Sequence, residues 1–306
     1  MSNLTQRVLT AVVGIPALYF IFYLGGVPFL VFILAVIFIG GIEFSRLLWA
    51  KGVSSAGGLG LILSLILAVA AYFGYFYLGV FFTISMIAVF ILHLRNQELS
   101  GSLMEVGTTL FEIVYLGWFL SHAVLLRNIG YNSNVKAYAE AAQGLKDAGF
   151  FYIFFVVSCV FLNDTGAYFA GRWMGKRKLI PRISPGKTIE GTIGGIISSI
   201  ITAEVANLIF KSPLEYYWAF IFGFVIGVVG VLGDLVESMI KRSARVKDSG
   251  GILPGHGGIL DRFDSLIFAF PAFYYFVIIY YWLYGVQVIE HFFLYRVQLN
   301  GYYYYL

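Results

Sequence analysis

Charge is scarce in this chain of 306 residues: Asp, Glu, Lys and Arg make up only 12%, against about 25% in a soluble domain. With 60% hydrophobic residues, that deficit excludes an ordinary soluble globular protein. Cysteine is almost missing. The single one, Cys159, excludes an intrachain disulfide and sits in an apolar run, where a small packing residue is expected. No long internal repeat and no low-complexity linker interrupts the chain, which argues for one integral domain over residues 1–306.

What is abundant is apolar length. Nine runs, at about 8–24, 28–48, 57–73, 75–94, 106–126, 149–171, 188–210, 216–239 and 264–284, approach the ~20 residues that cross ~30 Å of hydrocarbon as a helix. The expected fold is therefore all-α: a polytopic membrane protein with about nine transmembrane helices. Residues 1–126 would form a five-helix part, 149–284 a four-helix part and 285–306 an aromatic tail at the membrane interface. The first run follows Arg7 but has no small-residue cleavage pattern after it, so a retained helix is expected.

Orientation follows from the basic residues. With the N-terminus inside, only Arg127, Lys136, Lys146, Lys211 and Arg296 of the 20 Lys and Arg fall outside, which favours N-in and, for an odd number of spans, C-out. Most of the inside cations crowd into 172–187 and 240–262. The polar loop 127–148 is external on this reading, with a short surface helix expected over AYAEAAQGLKDAG. Gly191 and Gly195, like Gly223 and Gly227, are four apart and suit close helix packing, and Gly230 and Gly233 follow.

Ionisable groups inside the runs draw attention because they are costly there. Glu43, three residues from Arg46, is read as a local pair or an interfacial position, and Glu112 and His122 are the other exceptions in the first five runs. The density of chemistry lies elsewhere. The stretch KDSGGILPGHGGILDRFDS, 247–265, is flanked upstream by GDLVESMIKR, 233–242. Asp261 and Asp264 are one helical turn apart, and Asp234 can join them at one membrane depth. Three carboxylates at a low-dielectric boundary need positive charge between them, supplied by lysine, arginine or a divalent cation. An all-oxygen donor set without thiolates favours Mg²⁺ over zinc. Lys241, Arg242, Arg245, Lys247 and Arg262 lie close in sequence, so the cluster reads as a phosphate site. Gly250, Gly251, Gly255, Gly257 and Gly258 allow backbone N–H groups to face an anion, or merely make a flexible connector.

A second cluster spans 163–195. Asn163 and Asp164 lie near the inside end of the sixth run, too deep to be casual solvent-facing residues, and helix–helix hydrogen bonding is the plain alternative to a functional role for Asp164. The basic residues of 172–178 suit a topology signal or lipid headgroups. Ser184-Pro185-Gly186-Lys187-Thr188 reads as a turn carrying a lysine into a helix start, without the first glycine of a Walker A loop.

The fixed spacing of Ser238, Lys241-Arg242, Lys247-Asp248, Gly250, Leu253-Pro254, His256-Gly257-Gly258 and Asp261-Arg262-Phe263-Asp264 resembles the signature of the phosphatidate cytidylyltransferases, or CDP-diacylglycerol synthases. NDTGAYFAGR and ISPGKTIEG are also similar to that family's, with Gly186 where a second lysine is common. The resemblance is strong over 160–270 and only general before that. It implies transfer of a cytidylyl group from CTP to phosphatidic acid with Mg²⁺, a second monovalent cation such as K⁺, and a homodimer. It also implies a bacterial inner membrane with the active site facing the cytoplasm, where CTP is found. Nucleic acid is not an expected partner.

On that footing Asp234 and Asp261, with Asp264 as third, are expected to hold the metal. Lys187, Lys241, Arg242, Lys247 and Arg262 would hold phosphates, with Ser184, Gly257 and Gly258 on the nucleotide. Asp164 and Asp248 would orient those cations or a metal-bound water, and His256 is either a general acid or a phosphate and loop contact. Two other classes stay open: another CTP-using lipid enzyme, such as a polyprenol kinase or ether-lipid cytidylyltransferase, and an ion or solute transporter.

Overall fold

A computed structural model describes residues 3–53, 58–94, 101–131, 147–212, 214–251, 257–284, 296–299 and 302–305, with side chains described from Val12 to Tyr284 except Val13. The apolar runs become helices: α1 (Asn3–Leu24), α2 (Gly26–Ala50), α3 (Leu59–Phe73), α4 (Tyr75–His93), α5 (Ser102–Glu112), α6 (Phe119–Asn128), α7 (Ala148–Met174), α8 (Ile189–Ile209), α9 (Tyr216–Ser243) and α10 (Leu260–Leu283). A π-helical turn, Ile113–Trp118, joins α5 to α6, so Ser102–Tyr131 forms one continuous span.

Seven helical segments among the described residues are long and apolar enough to cross a membrane, which makes this an integral, polytopic membrane protein. Two of the nine expected runs fall short of that measure. Helix α3 has 15 residues, about 22 Å at 1.5 Å per residue, and the apolar portion of α1 is Gly14–Leu24.

The chain is not purely helical. Strand β1 (Lys178–Ile180) pairs antiparallel with β2 (Ser184–Thr188), and β3 (Arg296–Leu299) with β4 (Tyr302–Tyr305). Ser184–Thr188, expected as a turn, is thus a strand; the turn lies before it, where Ile183 N–H donates to Ile180 O. The expected helix start does follow, because Thr188 caps α8 by accepting from Gly191 N–H at 3.1 Å. The surface helix expected over 137–149 lies largely outside the described residues; of its last three, Asp147 caps α7 through Phe150 N–H, and Ala148 and Gly149 begin α7.

Helices α7, α8, α9 and α10 pack in chain order, and α10 also meets α6 and α2. Glycine makes the tight contacts: a Cβ at Gly223 would lie 2.7 Å from Ile200 Cα, and one at Gly195 would lie 2.9 Å from Asn163 O. Tyr152, Phe155, Phe222, Phe273 and Tyr281 fill the centre between these helices. The backbones of α9 and α10 approach closely at Gly233, where a Cβ would fall 2.5 Å from Asp264 O. That glycine brings the two acid-bearing helix ends together.

Candidate functional site

At one end of this four-helix set, segments far apart in sequence converge. Lys187, the fourth residue of β2, forms an ion pair with Asp234 of α9. The other Asp234 oxygen accepts from Ser238 Oγ at 3.2 Å, one turn along the same helix. Arg242 Nε donates to Ile183 O at 3.3 Å, which ties the end of α9 to the β1–β2 turn. The two basic segments marked in the sequence therefore share one surface.

A second pair lies deeper. Lys241 Nζ is 2.6 Å from Asp261 Oδ1 and 2.5 Å from Glu237 Oε2, and the Glu237 side chain is only 1% exposed. Asp261 Oδ2 accepts from Gly258 N–H at 2.8 Å, Ser249 N–H at 3.0 Å and Ser249 Oγ at 3.1 Å. The glycine-rich loop does present amides to an anion, and here that anion is Asp261. Gly257 has φ of +81°, a conformation that glycine adopts without strain.

Asp264 lies within electrostatic reach of Asp234, Glu237 and Asp164, and Asp164 within reach of Lys187 and Arg262. The acids Asp164, Asp234, Glu237, Asp261 and Asp264 outnumber the cations Lys187, Lys241 and Arg262 around them. Among the described residues no three acidic, His or Cys side chains converge into a ready-made metal cage. The donor set nevertheless fits Mg²⁺, which takes one or two carboxylates and fills the rest of its shell with water and phosphate oxygens. Surplus negative charge and wholly oxygen donors suit a hard cation there.

The other expected site residues lie at the exposed margin of this cluster or outside the described residues. Lys247 and Asp248 are exposed on the loop after α9, and Arg262 is exposed on the first turn of α10. Arg242 Nη1 turns to Val246 O at 3.3 Å. Ser184 begins β2, three residues before Lys187. His256 lies outside the described residues.

Three contributors escaped the sequence reading. Glu237 could have been found, since it stands four residues before Lys241 and three after Asp234 on a helix. Ser249 carries no local signal. Glu43 is not the local partner of Arg46 or an interfacial group: it is fully buried and hydrogen-bonds to Ser249, Ile259 and Leu260, more than 200 residues away, while Arg46 is exposed. The remaining intramembrane candidates have other neighbours. Glu112 is enclosed by Gly41 and Gly60, and His122 Nε2 lies 3.1 Å from Tyr275 OH in an aromatic cluster with Trp118 and Tyr274.

Comparison with known proteins agrees with this geometry. Residues 5–280 match the model of the cytidylyltransferase family. A phosphatidate cytidylyltransferase of Bacillus subtilis (strain 168) is 34% identical over 282 residues, covering 90% of this chain and 98% of that protein. One from Synechocystis sp. is 34% identical over 285 residues, covering 90% and 97%. The phosphatidate cytidylyltransferase of Staphylococcus saprophyticus is 44% identical over 170 residues, 56% of this chain and 58% of that protein. With acids and lysines gathered at one helix end and a match that runs through nearly every helix, this chain belongs to the cytidylyltransferase family.

Proposed function

We propose that this protein transfers the cytidylyl group of CTP to phosphatidic acid, giving CDP-diacylglycerol and pyrophosphate. The carrying observation is the convergence of the Lys187–Asp234 and Lys241–Asp261 pairs at one end of the helix set, in a chain of this family. A phosphate oxygen of phosphatidic acid attacks the α-phosphorus of CTP, the bond to the β-phosphate oxygen breaks, and pyrophosphate leaves with that electron pair. No protein nucleophile is required. The work of the chain is to hold two polyanions in line and balance their charge.

Lysines suit this task because an ammonium is a compact point charge that can exchange a carboxylate for a phosphate. Lys187 and Lys241 do so at the centre, while Arg242, Lys247 and Arg262 hold outer phosphates. Ser184, Gly257 and Gly258 contact the nucleotide. Asp234, Asp261 and Asp264 would hold Mg²⁺, with Asp164 and Asp248 orienting cations or a bound water. When bound, that ion supplies positive charge to the phosphates and the leaving group, and a monovalent cation such as K⁺ joins the same acidic surface. His256 serves as a phosphate and loop contact, and an unchanged pH profile in His256→Asn is the expected check.

In the membrane, nine embedded helices lie N-in and C-out as one integral domain in a bacterial inner membrane. The site then faces the cytoplasm and its CTP, and the acyl chains stay in the bilayer. The protein works as a homodimer. The test is incubation of purified protein with phosphatidic acid, Mg²⁺ and CTP labelled at the α-phosphate, with EDTA and dCTP controls and chromatography of the lipid. Labelled CDP-diacylglycerol, abolished by EDTA, is expected. Absence of labelled lipid overturns the reading, and a parallel incubation with CTP labelled at the γ-phosphate that labels the lipid instead marks a lipid kinase.

A further inference from the structure

Helix α10 carries Asp261 and Asp264, yet the residue at its N-cap, Ile259, has no side chain able to bond its first amides. The cap comes from the other half of the molecule. Glu43 Oε1 accepts from Ile259 N–H at 3.0 Å, and Oε2 accepts from Leu260 N–H at 2.9 Å. Oε2 also accepts from Ser249 Oγ at 3.1 Å. The side chain is 0% exposed, and a polar group so buried needs such donors to meet it.

The loop is shaped around this group. A Cβ at Gly258 would fall 2.5 Å from Glu43 Oε2, and one at Gly250 would fall 2.8 Å from its Cδ. Ser249 links Glu43 to the site, because its hydroxyl lies 3.1 Å from Glu43 Oε2 and 3.1 Å from Asp261 Oδ2. A serine hydroxyl has one proton, so it serves one carboxylate at a time. Glu43 gives that proton a second acceptor, and Asp261 keeps its amide donors, Ser249 N–H and Gly258 N–H, whichever way the hydroxyl turns.

We propose that Glu43 is a positioning residue for the transfer site: it caps the helix bearing Asp261 and Asp264 from the N-terminal half and, through Ser249, sets where the Asp261 carboxylate sits. This rests on the functional reading above. The N-terminal helices are then a working part of the site as well as its scaffold.

The experiment compares wild type, Glu43→Gln, Ser249→Ala and Arg46→Ala as full-length protein in nanodiscs. Three quantities are read: turnover against Mg²⁺ concentration, Mn²⁺ binding by electron paramagnetic resonance without substrates, and amide exchange of the peptide covering 257–262. Glu43→Gln replaces one acceptor oxygen by an NH₂ donor. It is expected to lower kcat and weaken Mn²⁺ binding by about 10- to 100-fold, the usual cost of losing support behind a metal ligand. Exchange over 257–262 should accelerate, and the Mg²⁺ midpoint should rise. Arg46→Ala should match wild type.

A purely structural role would lower the yield of active protein but leave the Mg²⁺ midpoint, Mn²⁺ affinity and local exchange at wild-type values, and that result overturns the inference. If Glu43→Gln does not fold, Ser249→Ala decides, with weaker Mn²⁺ binding supporting the inference and wild-type behaviour overturning it. Should wild type make no CDP-diacylglycerol, the functional reading falls, while Mn²⁺ binding and amide exchange still judge Glu43 by themselves.

Discussion

Cations at opposite ends of this molecule are held in different ways. Arg127, 2% exposed, spends its guanidinium on fixed partners: Phe22 O at 2.7 Å, Tyr23 O at 3.0 Å, and both oxygens of Asp147 at 3.1 and 2.9 Å. It ties α1 and α6 to the start of α7. Lys241 and Lys187 instead sit as point charges between acids, and Lys187 and Asp234 are each about a quarter exposed. Around them polar atoms are left over, including Glu237 Oε1 and the Asn163 amide, which form no hydrogen bond. A planar fork with four of its five donors used locks a structure, whereas an ammonium among excess carboxylates keeps capacity for a ligand.

Removing each cation or its partners sharpens that contrast. The largest effect on stability is expected from Arg127→Met, which strands two carbonyls beside a partly exposed Asp147; stability should fall by about 1–3 kcal/mol for each carbonyl left unpaired, with turnover per folded molecule near wild type. Thermal unfolding in detergent beside a rate normalised to folded protein measures both. Asp261→Asn should do the reverse, lowering turnover by about 10²–10³-fold with an intact fold, as loss of one preorganised electrostatic group does elsewhere. Steady-state rates with a circular-dichroism check decide it, and wild-type turnover would break the contrast.

Lys187→Ala comes next. Its half-open pair contributes about 0–1 kcal/mol to stability, so the loss should appear chiefly as a higher KM for CTP in initial-rate measurements. Smallest is Arg177→Ala. That side chain is 75% exposed and meets Glu190 at 3.3 Å, while Glu190 keeps the Lys176 and Arg177 amides. Melting temperature and rate should both stay near wild type, and a large change in either would show that β1 and β2 depend on this pair.

The helices were legible because membrane spans are written as runs of apolar residues, with every backbone group satisfied inside the run. The acids of the site were legible because Asp234, Asp261 and Asp264 stand beside dense Lys and Arg in an otherwise uncharged chain. The β1–β2 hairpin was not: SPGKT has no strand alternation, and its pairing with KLI is a local tertiary choice. Glu43 shows the deeper limit. Three residues from Arg46 it reads as half of a helical pair, and only packing of α2 against the start of α10 turns it toward Ser249 and Leu260.

By itself the order of residues determined that this chain lives in a membrane and where its phosphate chemistry is concentrated, since hydropathy and charge density are sums over neighbours along the chain. Folding alone decided which lysine faces which carboxylate, that Ser249 joins the cluster, and that a glutamate from α2 caps α10. Such choices depend on approach between backbones, as at Gly233 and Gly258, and distances across helices carry no trace in local composition.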